Sequence, residues 1–545
     1  MPRALRSGRI ADPVHGYVNF TGVERAILNH PVAQRLRYVA QNGLAHLVFP
    51  EVRSSRFSHS LGAMHLTSGF LAACLRNADP DTLQQVGDAI RLSVERVAGE
   101  VGDPERAAAE LITDATLAAH HYCRPTHASS VVLAEQGLRL AALFHDLGHL
   151  PFSHDFEHAL DFFWRGLPDE QKNASPLKRL LQQGEGQTKI HERLGHAASL
   201  LLLRDLFDDL RTETEGEAAR ICFEFARGIL TSTAPRRPSP QDAATYWLHT
   251  LMDGEIDSDR CDYILRDGRN YGFEFAQYDL RRLLDNLVVA REGEGFTLAI
   301  KPAGLSAVES FLIARVRSYQ YGVRHHKVAQ IGAALGHAIA DILATPPETV
   351  SAFIDDIGVI ADAADPNASR DQLRDAFERF AGYDDIWWTG LMRERARTRG
   401  DEWMKLVCYR QAGPRSLWKR PGDFPIPLRP WNERLPDPDD PDAQVAWFDA
   451  VVGLQQDGVL VVRHTFSPYR TDQSGASLVR ERQVDGRLRP VSDLLPLVRA
   501  LSGAWMDDLQ VHAVARSDSP LAGQPRMVID RLVPPDMPDR REETQ

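Results

Sequence analysis

The chain has 545 residues, 43% of them hydrophobic, which suits one large domain with insertions plus a smaller one, or two to three domains. Its formal net charge of −12, from 63 basic and 75 acidic residues, argues against a general nucleic-acid or anionic-membrane surface, yet allows a small anion in a local basic pocket. Five scattered cysteines without a CxxC (Cys74, Cys123, Cys222, Cys261, Cys408) point to reduced thiols, not to a disulfide frame or a zinc ribbon.

The N-terminus, MPRALRSGRIADPVHG, lacks the apolar core of a signal peptide, and no run approaches the length of a membrane span. A soluble, cytoplasmic protein is expected. Asp12-Pro13 favours a turn. Val32, Leu36 and Val39 share a helical face, with Arg35 and Arg37 off it. Arg56 to Asn77, RFSHSLGAMHLTSGFLAACLRN, reads as a helix with Leu61, Leu66, Phe70 and Leu75 in a core and His59 in its first turn. Residues 79–136 are alanine-rich and helical in pattern, and 79–114 reads as a surface insertion. His120, His121 and His127 fall in a polar stretch around Pro125 and are expected to be exposed or in turns.

Next comes LRLAALFHDLGHLPFSHDFE, from Leu138 to Glu157. Leu138, Leu140, Ala141, Leu143 and Phe144 can bury one side of a helix that Gly148 stops. Such a helix delivers His145 and Asp146 side by side at its end, where a charge is costly unless paired or bound to metal. His149 and His154 follow closely. The helix IHERLGHAASLLLLRDLF opens with His191 and Glu192. Its histidines, His191 and His196, are five residues apart and do not share a helix face, so they are not a metalloprotease pair. In IDSDRCDYILRDGRNYGF, residues Asp259, Arg260, Tyr263 and Asp267 keep to one broad side of a helix. Glu309 to Lys327 reads as one further amphipathic helix carrying Arg315, Arg317, Tyr319, Arg324, His326 and Lys327. Residues 421–442 are rich in proline and acid and read as a linker or loop. The runs GVLVVRHTF, LLPLVRALSGAW and LQVHAVAR give 443–545 the pattern of a small α+β lobe, with a frayed tail. The fold class is therefore mainly α: a helical core over 1–420, the 421–442 linker and that lobe.

His59, His145-Asp146 and Asp259 stand in the order H…HD…D, each on a separate helix. With RFSHSLG, HDLGHLPFSHDFE, DSDRCDYILRD, DPVHG, QRLRYVAQNG and the run from Glu309 to His326, the chain resembles the HD-domain metal phosphohydrolases, and within them the deoxynucleoside triphosphate triphosphohydrolases and their bacterial relatives. The resemblance covers about the first 330 residues. It implies an HD-domain helical core and a metal centre of His59, His145, Asp146 and Asp259. Two imidazoles and two carboxylates suit Mn, Fe, Ni, Co or Zn, with Mg as a second ion on the phosphates. It implies catalytic roles for His154 and His191, with Glu157 orienting His191. It places Arg56, Arg260, Arg315 and Lys327 on the phosphates and Tyr263 and Asp267 at the sugar. His149 is expected to support the site from behind its ligands. Arg324 stands where relatives commonly have a tyrosine stacked on deoxyribose, so sugar discrimination does not carry over.

The implied activity is hydrolysis of deoxynucleoside triphosphates to deoxynucleoside and inorganic triphosphate. Alternatives are another HD phosphohydrolase reaction (on a nucleoside monophosphate, a cyclic nucleotide or a ribonucleotide) and a nucleotide-sensing regulator on the same scaffold. The resemblance also implies a homo-oligomer, with Asp12, His15, Gln34 and Arg37 as candidates for binding an effector nucleotide. No membrane association and no stable nucleic-acid binding are expected.

Overall fold

A computed structural model describes residues 7–99, 101–181, 189–207, 214–232, 239–365, 367–399, 401–411, 413–437, 440–464, 480–482, 487–504 and 507–533. The expected tail, 536–545, and most of the proline-rich stretch 232–241 lie outside these residues.

The fold is mainly helical with three small sheets. Eight helices build the site or its support. They are α1 (Arg56–Asn77), α2 (Ala128–His145), α3 (His154–Arg165), α4 (Ile190–Phe207), α5 (Thr214–Leu230), α6 (Ser258–Tyr271), α7 (Leu305–Ser318) and α8 (His326–Ala344). α2 is the central element. From Ser130 to Phe144 every residue is buried, so the helix is enclosed on all sides rather than on one stripe. α1 and α5 pack directly on it.

The start of α1 is set by Ser55, whose hydroxyl accepts from the Ser58 amide. Asp257 caps α6 by accepting from the Arg260 amide at 2.6 Å. Residues 79–136, expected as an insertion, place Val86, Ala89, Ile90 and Val94 in the main core. In the same stretch His120 and His127 lie in short 3₁₀ turns, within the expectation of exposed or turn histidines, but both are buried, and His127 Nε2 lies 3.1 Å from Asp88. The Glu309–Lys327 helix is also corrected. It stops at Ser318, passes through a π-helical turn (Tyr319–Val323) and restarts as α8.

Strands β1 (Gly8–Asp12) and β2 (Gly16–Phe20) form an antiparallel hairpin near the N-terminus. β3 (Leu287–Glu292) and β4 (Gly295–Ile300) form a second. The C-terminal part adds β5 (Arg415–Ser416), β6 (Val459–Arg463), β7 (Arg480–Arg482), β8 (Leu488–Pro490) and β9 (Val511–Ala515). β5, β9 and β6 make one sheet, whereas β7 joins β4 in parallel and β8 extends that sheet. The C-terminal part thus docks on the helical core through the β3–β4 hairpin. Its own apolar cluster includes Trp418, Phe424, Trp431 and Leu435, so the stretch read as a linker contributes packed side chains. No single helix among the described residues is long and apolar enough to cross a membrane.

Candidate metal centre and its neighbours

Three separate helix ends converge here. α1 brings His59, α2 brings His145 with Asp146 just after it, and the first turn of α6 brings Asp259. His59 Nε2 is 2.7 Å from Asp259 Oδ1 and 3.4 Å from Asp146 Oδ2. His145 Nδ1 is 3.6 Å from Asp146 Oδ1, and its Nε2 is 4.0 Å from Asp259 Oδ1. Donors at such mutual spacing can share one ion at bonds of roughly 2.0–2.2 Å. Electrostatics supports the fit. Burial alone would lower His59, but hydrogen bonds with Asp259 and Asp262 and the Asp146 charge raise it to about 10. The carboxylates therefore make a buried place that draws positive charge, which a divalent cation satisfies directly.

The support behind these donors is dense. His59 Nδ1–H donates to Asp262 Oδ2 at 2.7 Å, which turns Nε2 toward Asp146 and Asp259. Asp262 also receives His15 Nε2 at 2.6 Å and the Arg266 guanidinium at 2.8 and 2.9 Å. Arg266 then reaches Asp12 Oδ2 at 2.9 Å. Burial would raise Asp262, but these donors hold it far below the usual carboxylate range. Asp12 and His15, the candidate effector residues, are thus part of the packing beneath His59. Gln34 and Arg37 are placed differently: Arg37 Nε donates to Gln34 Oε1 at 2.7 Å, and its guanidinium lies over the Phe57 ring.

Beside the four donors, His149, His154, Glu157 and His191 form a second group whose donor atoms lie within 4.8 Å of one another. This His/Glu cluster could itself hold a metal ion. His191 Nδ1–H donates to Glu157 at 2.8 Å, and its ring stacks on His149 with centroids 3.9 Å apart. His149 is fully buried, with Nε2 3.1 Å from Asp146 and Nδ1 3.4 Å from Glu157, so it bridges the two groups. His154 is half exposed, with Nδ1 3.6 Å from Glu157 Oε2. Burial would raise Glu157, but His191, His149 and His154 keep it well below the usual range, and it stays ionised among three imidazoles.

The expected phosphate cations are all partnered. Arg56 is buried, donates to both oxygens of Asp146 at 3.0 and 3.1 Å, and contacts Ser153 Oγ at 2.9 Å. Arg260 pairs with Asp257 and lies 3.3 Å from Asp253. Arg315 pairs with Glu255 at 2.6 Å. Lys327 donates to Gln330, and its charged neighbours are Arg410, Lys419 and Arg415 rather than the metal-centre acids. Tyr263 approaches Tyr319, with hydroxyls 3.4 Å apart. Arg324 turns toward the C-terminal part, 3.8 Å from Asp508.

Residues absent from the sequence reading hold the loop between His149 and His154. Phe152 and Ser153 both have φ of 58°, a left-handed conformation that is costly for such side chains. Asp385, at the start of α9 (Asp385–Arg399), accepts from the Phe152 amide at 2.7 Å and the Ala40 amide at 2.9 Å. Ser153 Oγ donates to Ala40 O at 2.6 Å. Asp262 could have been found, since it lies inside the DSDRCDY motif. Asp385 has no local signal.

The fold and this constellation define a class: the chain resembles the HD-domain phosphohydrolases. No family model matches the sequence. Human deoxynucleoside triphosphate triphosphohydrolase SAMHD1 is 33% identical over 285 residues, covering 50% of this chain and 35% of that protein. A putative HD domain-containing protein of Acanthamoeba polyphaga mimivirus is 23% identical over 277 residues, 51% of this chain and 46% of its own length. The chain spans about half or less of these relatives. In fold, a phosphohydrolase crystal structure from Bacteroides thetaiotaomicron aligns over 93% of this chain and 99% of that one, with a TM-score of 0.55 and 17% identity.

Proposed function

We propose that this protein is a metal-dependent phosphohydrolase that cleaves deoxynucleoside triphosphates to the deoxynucleoside and inorganic triphosphate. The observation that carries this reading is the meeting of His59, His145, Asp146 and Asp259 beside the Glu157–His191 pair. These four residues would hold the divalent ion, which when bound polarises a phosphoryl oxygen and lowers the pKa of water.

The protein's own groups do the rest. Glu157 fixes the His191 tautomer by taking its Nδ1–H, which leaves Nε2 to carry the proton passed to the leaving 5′-oxygen. His154, at the exposed edge of the cluster, donates to a non-bridging phosphate oxygen. Arg56 orients Asp146 and balances its charge. Arg260 and Arg315 exchange carboxylate partners for phosphate oxygens as the triphosphate enters. Incubation with Mn²⁺ and a nucleotide panel, followed by product identification, tests the reading. Inorganic triphosphate supports it. Orthophosphate or a monophosphate points to another phosphohydrolase reaction, and no product points to a sensor. The homo-oligomer and the nucleotide effector belong to the same proposal, tested by solution mass with and without nucleotide.

A further inference from the structure

One carboxylate beside the site takes no part in the chemistry above. Asp385 opens α9, 233 residues beyond Phe152 and outside the stretch that carries the motif resemblance. Each of its oxygens has its own backbone donor. Oδ1 accepts from the Phe152 amide at 2.7 Å, and Oδ2 accepts from the Ala40 amide at 2.9 Å. Burial pushes this carboxyl up to about 7, against the pull of the two amides. Keeping a carboxylate in such a place costs free energy that an apolar side chain would not.

The loop it anchors leads into His154. Phe152 and Ser153 both have φ of 58°, which residues other than glycine keep only where their surroundings over-determine it. Ser153 immediately precedes α3, so its backbone sets the place of His154, the first residue of that helix. The Ser153 hydroxyl donates to Ala40 O at 2.6 Å and accepts from Arg56 Nε at 2.9 Å. Ala40 is therefore tied to the loop directly and again through Asp385. Arg35 adds a clamp on the same elements, donating to Leu147 O at 3.0 Å and to Tyr383 O at 2.9 Å. The His154 side chain itself is loosely held. It is half exposed, and its Nδ1 is 3.6 Å from Glu157 Oε2, beyond good hydrogen-bonding distance. The backbone beneath it carries its placement.

We propose that Asp385 is a positioning residue for the reaction: by joining the Phe152 and Ala40 amides it fixes the start of α3, and with it the His154 imidazole that meets the substrate phosphates. This rests on the phosphohydrolase reading for the role of His154. Asp385 touches no reacting atom and acts through the loop. The task requires both of its oxygens, because the two amides belong to segments remote in sequence. An asparagine would offer one acceptor oxygen and turn an N–H₂ donor toward the other amide. Misplacing a positioned group by about 1 Å can cost about 10²-fold in rate.

The test is a double-mutant cycle in the full chain with Mn²⁺. Asp385→Asn should lower kcat for a deoxynucleoside triphosphate about tenfold or more, with metal content unchanged. In a His154→Ala background the same substitution should change kcat less than about twofold, because the group through which Asp385 acts is gone. Arg379→Ala, which breaks the ion pair with Asp356, is the control for lost stability and should keep the parental kcat. Should Asp385→Asn fail to fold, Ser153→Ala, which cuts the direct tie to Ala40, takes its place in the cycle. Losses that multiply in the double variant would overturn the inference. So would parental turnover in Asp385→Asn, or an equal loss in the control. Calorimetric titration with inorganic triphosphate runs the same cycle without turnover. Asp385→Asn and His154→Ala should each weaken binding, and the double variant should bind no worse than His154→Ala alone. If no nucleotide is hydrolysed but this pattern holds, the hydrolase reading falls and the positioning role stands. If hydrolysis occurs and the binding losses multiply, the positioning role falls.

Discussion

Replacing Asp262 with asparagine should weaken metal binding without touching a metal donor. In the structure Asp262 is wholly buried and accepts from His59 Nδ1, His15 Nε2 and two nitrogens of Arg266. The amide keeps the shape but loses the charge and offers a single acceptor oxygen. Removing one partner of a buried ion pair costs about 3–5 kcal/mol. Arg266 keeps Asp12 at 2.9 Å, so a loss near the lower end, about 3 kcal/mol, is expected. His59 also loses the contact that fixes its tautomer, and outer contacts of this kind typically change metal affinity about 10–100-fold. Two assays separate the effects: urea unfolding of metal-free protein gives the stability term, and competitive Mn²⁺ titration under native conditions gives the affinity term. A variant whose Mn²⁺ affinity stays within twofold of the parent would refute the positioning role. A metal-free stability equal to the parent would refute the buried network itself.

His191→Ala should lower kcat about 10²–10⁴-fold while metal content, read by elemental analysis, is unchanged; loss of metal would reassign the residue. Asp385→Ala orphans two backbone amides that hold the Ala40 and Phe152 segments, so urea stability should fall by about 2–4 kcal/mol, at about 1–2 for each bond left open. An unchanged midpoint would show that the positive φ at Phe152 and Ser153 is held by other contacts. Acid should also weaken the seat of the C-terminal sheet. Burial, with His326, Arg324 and His325 nearby, lowers His512 to about 4, and His464 stacks edge-on against it. The folded pKa is below the unfolded value near 6.5, so the unfolded chain binds the proton more readily. Stability is complete above about pH 6.5 and lost as the pH falls toward 4, at up to about 1.4 kcal/mol per pH unit. His512→Leu should flatten that slope in urea midpoints; an identical slope would assign it to other groups.

The helical class was legible from spacing, as were the three helix ends that carry His59, His145–Asp146 and Asp259, whereas their union in one candidate site was legible only through motif resemblance. Hydrophobic periodicity marks a helix, and a charged pair at the end of an apolar run marks a site. The Glu157–His191 pair was legible only through motif resemblance, since a sequence separation of 34 gives no local sign of contact. Three features were hidden for physical reasons. The π-helical turn after Ser318 is a local change of hydrogen-bond register, and the helix period on either side of it is the same. The partners of Arg56, Arg260 and Arg315 are carboxylates, two of them remote in sequence, so the sequence showed the cations but not their neutralisation. β7 pairs with β4 across about 180 residues, and no periodicity encodes such a long-range partner.

The most direct test of the central claim is product analysis by phosphorus NMR. The purified chain is incubated with a deoxynucleoside triphosphate, with Mn²⁺ and with a chelator in parallel. The account predicts inorganic triphosphate and free deoxynucleoside with the metal, none with the chelator, and loss of turnover in Asp146→Asn. Full turnover in the chelator, or in Asp146→Asn, would contradict it.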